Sequence, residues 1–186
     1  MAGLSETVAA LAAGGVVAYP TEAVFGLGCL PDHPDALARL AAIKGRTADR
    51  GMILIGDSFE QLRPYVAELD AETEARVCAT WPGAVSWVLP ARADLHPLVT
   101  GGRGTVAVRV PDHALARALC TELGSAITST SANRSGSAPA LDAATVSASM
   151  GEQLDAVLDG ATGGRTAPSE IRDAISGVTL RPGAPA

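Results

Sequence analysis

The sequence predicts one α/β domain built on a twisted, mixed β-sheet flanked by helices. Helical and strand patterns alternate along all 186 residues, without a low-complexity linker or an internal repeat. Apolar residues make up 47% of the chain, which is enough for a full core at this length. Several connections are longer than a tight hairpin or a minimal crossover, and this favours a mixed sheet over a regular doubly wound one. We therefore expect a single domain over residues 1–186.

Each predicted element has a local signal. Leu4, Val8 and Leu11 lie at helical spacing and predict the first helix, and the apolar run at 16–19 before Pro20 predicts the first strand. Further helices are predicted at 34–44, from 58, and at 70–80, 113–124 and 142–150. Further strands are predicted at 52–55, 85–89, 105–110, 126–128, 155–158, 169–171 and 178–180.

Composition excludes several classes of protein. The net charge of −6 argues against a surface coated with basic residues for nucleic acid. The three cysteines and three histidines are widely scattered, which fits neither a disulfide framework nor a metal site made of protein ligands. No apolar run approaches the roughly 18 residues of a membrane span, and the N-terminus lacks the basic start of a signal peptide. We expect a soluble, cytoplasmic protein without a membrane partner.

Two polar loops contain residues suited to anions or to a small ligand. In the loop at 19–28, Thr21 and Glu22 follow a buried strand, so the loop is either a ligand rim or an ordinary turn with Glu22 in solvent. The loop at 44–51 places three cations within seven residues, among them Lys44, the only lysine of the chain. Such a cluster suits a triphosphate, although a solvated surface loop has the same composition.

A third loop at 129–136 offers four hydroxyls and Asn133, the only asparagine. Hydroxyls and amides at this density contact phosphate oxygens or a sugar, or form a simple polar turn. The glycine-rich stretch at 160–166 resembles a phosphate-binding loop but lacks its lysine and runs into Pro168, so we do not predict one there. Dinucleotide-binding and serine-hydrolase motifs are also missing from the sequence.

Taken in order, seven stretches of the chain resemble one known family. They are YPTEAVFGLG at 19–28, KxR at 44–46, WPG at 81–83, AVRV at 107–110, STSANxSG at 129–136, PSEIRD at 168–173 and LRPG at 180–183. Together they resemble the YrdC-type threonylcarbamoyl-AMP synthases, in particular the short bacterial TsaC form. The resemblance covers nearly the whole chain, and its specificity lies in the order of the motifs.

The resemblance implies a YrdC-like domain with a concave, positively charged site and a nucleotidyltransferase activity. L-threonine, bicarbonate and ATP would give L-threonylcarbamoyladenylate and pyrophosphate, with Mg²⁺ held mainly by the ATP phosphates. Downstream tRNA threonylcarbamoyl transferase proteins would then use the adenylate to modify adenosine 37 of tRNA. The longer family members carry an extra C-terminal domain, which we do not expect here.

The same resemblance implies the site residues. The catalytic pair would be Lys44 and Arg46, which bind the triphosphate. The full set implied for ATP is Lys44, Arg46, Thr105, Ser131, Asn133 and Arg181. The set implied for L-threonine is Thr21, Arg50, Arg109, Ser129 and Ser169. An arginine is the natural partner of the amino acid carboxylate, because the two groups form a bidentate pair.

The sequence departs from the family pattern at four positions. Ala23 and Phe25 replace the usual Thr and Tyr, Thr47 replaces a proline, and Arg50 replaces a frequent histidine. Two other functions remain open at this point. One is a module that binds tRNA or double-stranded RNA on the same concave surface without catalysis. The other is a domain of the same fold that forms a carbamoyl-adenylate for a transfer reaction.

Overall fold

A mixed β-sheet forms the centre of the computed structural model, which describes residues 1–47 and 49–183. Its strands are β1 (Val17–Pro20), β2 (Phe25–Gly28), β3 (Ile53–Ile55), β4 (Val85–Pro90), β5 (Thr105–Arg109), β6 (Ile127–Ser131), β7 (Ala156–Val157), β8 (Glu170–Asp173) and β9 (Thr179–Arg181). The helices are α1 (Leu4–Ala12), α2 (Pro34–Lys44), α3 (Phe59–Leu62), α4 (Ala71–Cys78), α5 (Pro97–Thr100), α6 (Ala114–Leu123) and α7 (Ala143–Met150). Two 3₁₀ turns, Arg63–Tyr65 and Gly151–Gln153, complete the described elements.

The sheet has the strand order β7-β1-β2-β6-β3-β5-β4-β8-β9. The pairs β1–β7, β3–β5 and β4–β8 are parallel. The pairs β1–β2, β2–β6, β3–β6, β4–β5 and β8–β9 are antiparallel. The predicted fold class, one α/β domain with a mixed sheet and flanking helices, is confirmed.

The two faces of the sheet bury separate apolar clusters, because neighbouring strand residues point to opposite faces. Leu54 of β3 belongs to the larger core, which also contains Leu37 and Leu40 of α2. Its neighbour Ile55 belongs to the smaller core, to which Leu119 of α6 contributes. Helices α1 and α6 cover only part of this second face, and the remainder is open to a cleft.

The strand prediction was wrong between residues 25 and 28, where the structure has β2 instead of a loop. Two glycines, Gly26 and Gly28, hid the strand because glycine is rare in strand interiors. They are needed because the Tyr19 ring packs against them: a Cβ at Gly26 would lie 3.2 Å from Tyr19 Cζ. The prediction also stopped β6 too early, since this strand continues through Ser131.

Among the described residues, no helix is long and apolar enough to cross a bilayer. Ala48, within the predicted loop at 44–51, lies outside the described residues, as do residues 184–186 of the predicted domain.

Candidate active site

A cleft of about 680 Å³ lies on the uncovered part of the second sheet face. The strand register forms its floor: Ser129 pairs with Ile53, Ile53 with Ala107, and Ala107 with Val88. These four residues therefore form one row across β6, β3, β5 and β4, and all four line the cleft. The small side chains of Ser129 and Ala107 in this row leave room above the sheet for a ligand.

Most of the site residues implied by the sequence resemblance meet in this cleft. Those that line it are Thr21, Arg46, Thr105, Arg109, Ser129, Ser131, Ser169 and Arg181. Lys44, Arg50 and Asn133 are not among the lining residues. The described lining residues also include five arginines against a single carboxylate, that of Glu22. The cleft wall is thus rich in groups that bind anions.

Lys44 is buried beside the cleft and is not one of its lining residues. It is the last residue of α2, and only 5% of its surface is exposed. Its Nζ donates to the backbone oxygen of Asn133 at 2.6 Å, to Asn133 Oδ1 at 3.0 Å, and to the backbone oxygen of Ser131. Burial, together with the charge of nearby Arg46, lowers the pKa of Lys44 to about 8. The ammonium therefore holds the end of β6 and the turn after it.

Asn133 continues this network on the other side of Lys44. Its Oδ1 accepts a hydrogen bond from Ser131 Oγ at 2.5 Å, and its Nδ2 donates to the Ser137 carbonyl at 2.6 Å. The Ser135 hydroxyl in turn donates to the Lys44 carbonyl at 3.0 Å. The predicted polar loop at 129–136 is therefore part strand and part turn, tied to the C-terminal end of α2.

Arg46 reaches the cleft from the turn after α2. Its Nη1 donates to Thr130 Oγ1 at 3.2 Å. Burial and the neighbouring Arg50 lower the pKa of Arg46 below its usual range, although the guanidinium stays charged at neutral pH. Arg50 itself is exposed.

Ser169 and Arg181 form one unit at the far edge of the cleft. Arg181 Nη2 donates to the Ser169 carbonyl at 2.7 Å and lies 3.3 Å from Ser169 Oγ. The Ser169 hydroxyl also shares a hydrogen bond of 3.0 Å with Ser86, which is fully buried. Burial and the charge of Arg109 lower the pKa of Arg181. The Ser169 hydroxyl is thus held in one position by partners on both sides.

Thr21 and Glu22 form a tight turn between β1 and β2. Thr21 Oγ1 donates to the Val24 carbonyl at 2.7 Å, which closes the turn. Glu22 is buried, so the alternative that it lies in solvent was wrong. Its Oε1 accepts the backbone N–H of Asp112 at 2.8 Å, and its Oε2 lies 3.3 Å from Nη2 of Arg109.

A segment that we call the strap, residues 160–168, crosses the cleft between β7 and β8. The backbone N–H of Gly163 donates to the Thr21 carbonyl at 3.0 Å, and that of Arg165 donates to the Glu22 carbonyl at 2.9 Å. Arg165 and Thr166 line the cleft. The strap contains no helix, in agreement with the exclusion of a P-loop, yet it contributes to the site.

Sequence reasoning missed four polar lining residues: Thr100, Arg103, Arg165 and Thr166. A signal existed for the last two, because they lie in the glycine-rich stretch that was compared with a P-loop. Arg103 follows two glycines before β5, and nothing in the sequence separates it from an exposed loop arginine. The burial of Glu22 depends on contacts with residues about 90 positions away along the chain.

Comparisons with known proteins agree with this architecture. The model of the Sua5/YciO/YrdC family, described as "Telomere recombination", matches residues 9–183. The threonylcarbamoyl-AMP synthase of Vibrio vulnificus (strain YJ016) is 52% identical over 182 residues, which are 97% of this chain and 98% of that protein. The synthase of Photobacterium profundum is 48% identical over 185 residues, covering 98% of this chain and 100% of that protein.

A solved structure is also similar. P. abyssi Sua5 complexed with L-threonine superposes with a TM-score of 0.89 at 33% identity. The match covers 97% of this chain and 54% of Sua5, so this chain corresponds to about half of that longer protein. The family model and the two synthase relatives together show that the chain belongs to the Sua5/YciO/YrdC family.

Proposed function

We propose that the cleft is the active site in which L-threonine, bicarbonate and ATP give L-threonylcarbamoyladenylate and pyrophosphate. Relatives named threonylcarbamoyl-AMP synthase match nearly the full length of both chains and confirm the synthase function and enzyme class that the resemblance predicted. The main support for this assignment is that arginines and hydroxyl groups line the same cleft. Its volume is in the range of known small-molecule sites.

The triphosphate would bind beside Arg46, Thr105 and Ser131, with Arg181 on the opposite side. Lys44 and Asn133 were expected to contact ATP directly. In the structure they instead fix the turn that follows Ser131. Lys44 also adds a positive charge next to the turn, and this charge would attract a phosphate bound at Ser131. The arginines neutralise the triphosphate and stabilise charge that moves to the leaving pyrophosphate.

L-Threonine would bind at the other end, near Thr21, Arg109, Ser129 and Ser169. Thr21 and Ser169 carry hydroxyls whose positions are set by hydrogen bonds to the protein. Such hydroxyls suit the β-hydroxyl of the substrate. Arg50 lies outside the lining and belongs to this set only through the family resemblance.

The chemistry requires positioning more than a reactive side chain. The neutral amino group of threonine attacks the bicarbonate carbon, and one bicarbonate oxygen leaves as water with a proton from the amine. The product is a carbamate, which decomposes readily in water. The carbamate oxygen then attacks the α-phosphorus of ATP, and pyrophosphate leaves with its electron pair. Holding both substrates in one cleft raises their effective concentration and shortens the lifetime required of the carbamate.

Magnesium would enter with the ATP phosphates. Among the described residues, no group of three potential metal ligands is found, and the single lining carboxylate faces an arginine. The donor set therefore suits an ion held by phosphate oxygens. We further propose a cytoplasmic location and use of the adenylate by downstream transferase proteins that modify adenosine 37 of tRNA, with contact to tRNA or double-stranded RNA as an additional property.

The test is pyrophosphate release by the purified protein with ATP, Mg²⁺ and bicarbonate, with and without L-threonine. We expect release that depends on both bicarbonate and threonine, and a product with the mass of L-threonylcarbamoyladenylate. Release that ignores threonine would overturn the assignment. Binding of RNA with no release of pyrophosphate would instead favour the RNA-binding alternative.

A further inference from the structure

Glu22 and Arg109 form a buried charge pair in the wall of the cleft. Their exposed fractions are 5% and 7%, and Glu22 Oε2 lies 3.3 Å from Arg109 Nη2. The backbone N–H of Asp112 fixes the other carboxylate oxygen. Glu22 Oε2 and Arg109 Nε receive or make no hydrogen bond with any residue that the structure describes. Among the described residues, the pair therefore retains one unused hydrogen-bond acceptor, Glu22 Oε2, and one unused donor, Arg109 Nε.

The charges around the cleft make this pair distinctive. Five arginines line the cleft, and Glu22 is the single acidic residue among the described lining residues. ATP and bicarbonate present only negative charge to such a wall. L-Threonine is different, because its ammonium and carboxylate groups are attached to the same carbon. A neighbouring carboxylate and guanidinium complement those two groups at once, and the carboxylate repels phosphate.

We propose that Glu22 determines specificity for the amino group of the substrate, with Arg109 taking the carboxylate. This inference rests on the proposed function and adds a residue to it. The negative charge of Glu22 favours a zwitterion at this end of the cleft and directs the triphosphate to the end around Arg46. It also selects against carboxylic acids that lack the amino group needed for carbamate formation.

Glu22 also joins two turns, since it contacts Asp112 and its carbonyl accepts from Arg165. A test must separate this structural contact from the charge. The substitution Glu22→Gln does so, because the amide oxygen can still accept the Asp112 N–H while the negative charge is lost. Glu74→Gln is the matched control: Glu74 pairs with Arg63 at 2.7 and 3.0 Å on the surface, away from the cleft.

The experiment compares L-threonine with (R)-3-hydroxybutanoate, which is threonine without its amino group. Calorimetry gives the Kd of both ligands, and pyrophosphate release gives KM for threonine and ATP. In the parent we expect threonine to bind roughly tenfold or more tightly than the analogue. In Glu22→Gln this preference should fall to about twofold, because threonine binds more weakly while the affinity for the analogue is unchanged. The KM for ATP should stay within about twofold of the parent value. Glu74→Gln should match the parent.

Two results would overturn the proposal. One is an unchanged preference for threonine over the analogue in Glu22→Gln. The other is an equal loss for threonine, the analogue and ATP, which would indicate a structural role only. If Glu22→Gln does not fold, equal affinities of the parent for the two ligands overturn the proposal, and a tenfold preference supports it. A parent that binds threonine but releases no pyrophosphate would contradict the proposed function and leave this test intact.

Discussion

Lys44 donates a hydrogen bond from Nζ to Oδ1 of Asn133 across 3.0 Å, which joins the only lysine of the chain to its only asparagine. The two residues are 89 positions apart in the sequence. All the other 13 residues counted with it as Lys or Arg are arginines. At this position a compact ammonium is required, because three oxygens of one turn surround it at short range.

Substitution of Lys44 should therefore damage both nucleotide binding and the turn that it holds. Lys44→Ala leaves the carbonyls of Ser131 and Asn133 without their donor, and we expect a loss of about 1–3 kcal/mol in stability. Lys44→Arg keeps the charge but places a planar group in a small space, so its ATP affinity should fall by roughly tenfold or more. Calorimetric titration of ATP and thermal unfolding measure the two effects.

The control for this prediction is Arg39→Ala on the same helix. Arg39 forms an exposed ion pair with Asp155 at 2.6 Å, and exposed pairs contribute little. The Arg39→Ala variant should bind ATP with the same affinity as the parent. L-Threonine affinity should change less than ATP affinity in both Lys44 variants. A Lys44→Arg protein that binds and turns over ATP like the parent would show that the phosphate site lies elsewhere.

The lowered pKa of Lys44, about 8, predicts a pH dependence of ATP binding. Below that pH the ammonium is charged and attracts phosphate, and above it the amine becomes neutral. The ATP affinity of the parent should therefore fall as the pH rises from about 7 to about 9.5. Bound ATP should shift the midpoint of the Lys44 titration upward, because the phosphates favour the charged ammonium. In Lys44→Arg the guanidinium stays charged over this range. A parent whose ATP Kd is constant over the same range would contradict a charged role for Lys44.

The hydroxyls of Thr21 and Ser169 predict selectivity among amino acids. L-Threonine should be preferred, serine used in part, and valine rejected by roughly tenfold or more, since valine leaves a buried polar partner without its hydrogen bond. Initial rates of pyrophosphate release at equal concentrations of each amino acid measure this order. Equal turnover of valine and threonine would show that the threonine pocket lies elsewhere.

Gly28 should be intolerant of a side chain. A Cβ there would lie 2.4 Å from the Thr128 carbonyl oxygen and 3.0 Å from Cε1 of Tyr19, both of which are fully buried. We expect Gly28→Ala to lose about 1–3 kcal/mol or more in urea denaturation, because β2 and β6 must separate. Gly104→Ala is the control, since no atom lies within 4 Å of its added Cβ. Equal stability of the two variants would contradict the close packing of β2.

Local patterns account for most of the fold that could be predicted. The helix at Pro34–Lys44 was found because proline at its start and glycine at its end are local signals. Strand β2 could not be found in this way, since Gly26 and Gly28 are explained only by the Tyr19 ring that packs against them. The strap was also missed as part of the site, because its contacts with Thr21 and Glu22 join segments about 140 residues apart.

By itself the sequence determined the fold class and the family, because these depend on local periodicity and on ordered motifs, and it supplied the candidate site residues. Only the tertiary structure decided which of those residues meet. It placed Lys44, at the end of the predicted helix, in a buried position outside the cleft lining, and it paired Glu22 with Arg109. The physical reason is burial: a charge removed from water must find a partner, and that partner can come from any part of the chain that the fold brings near.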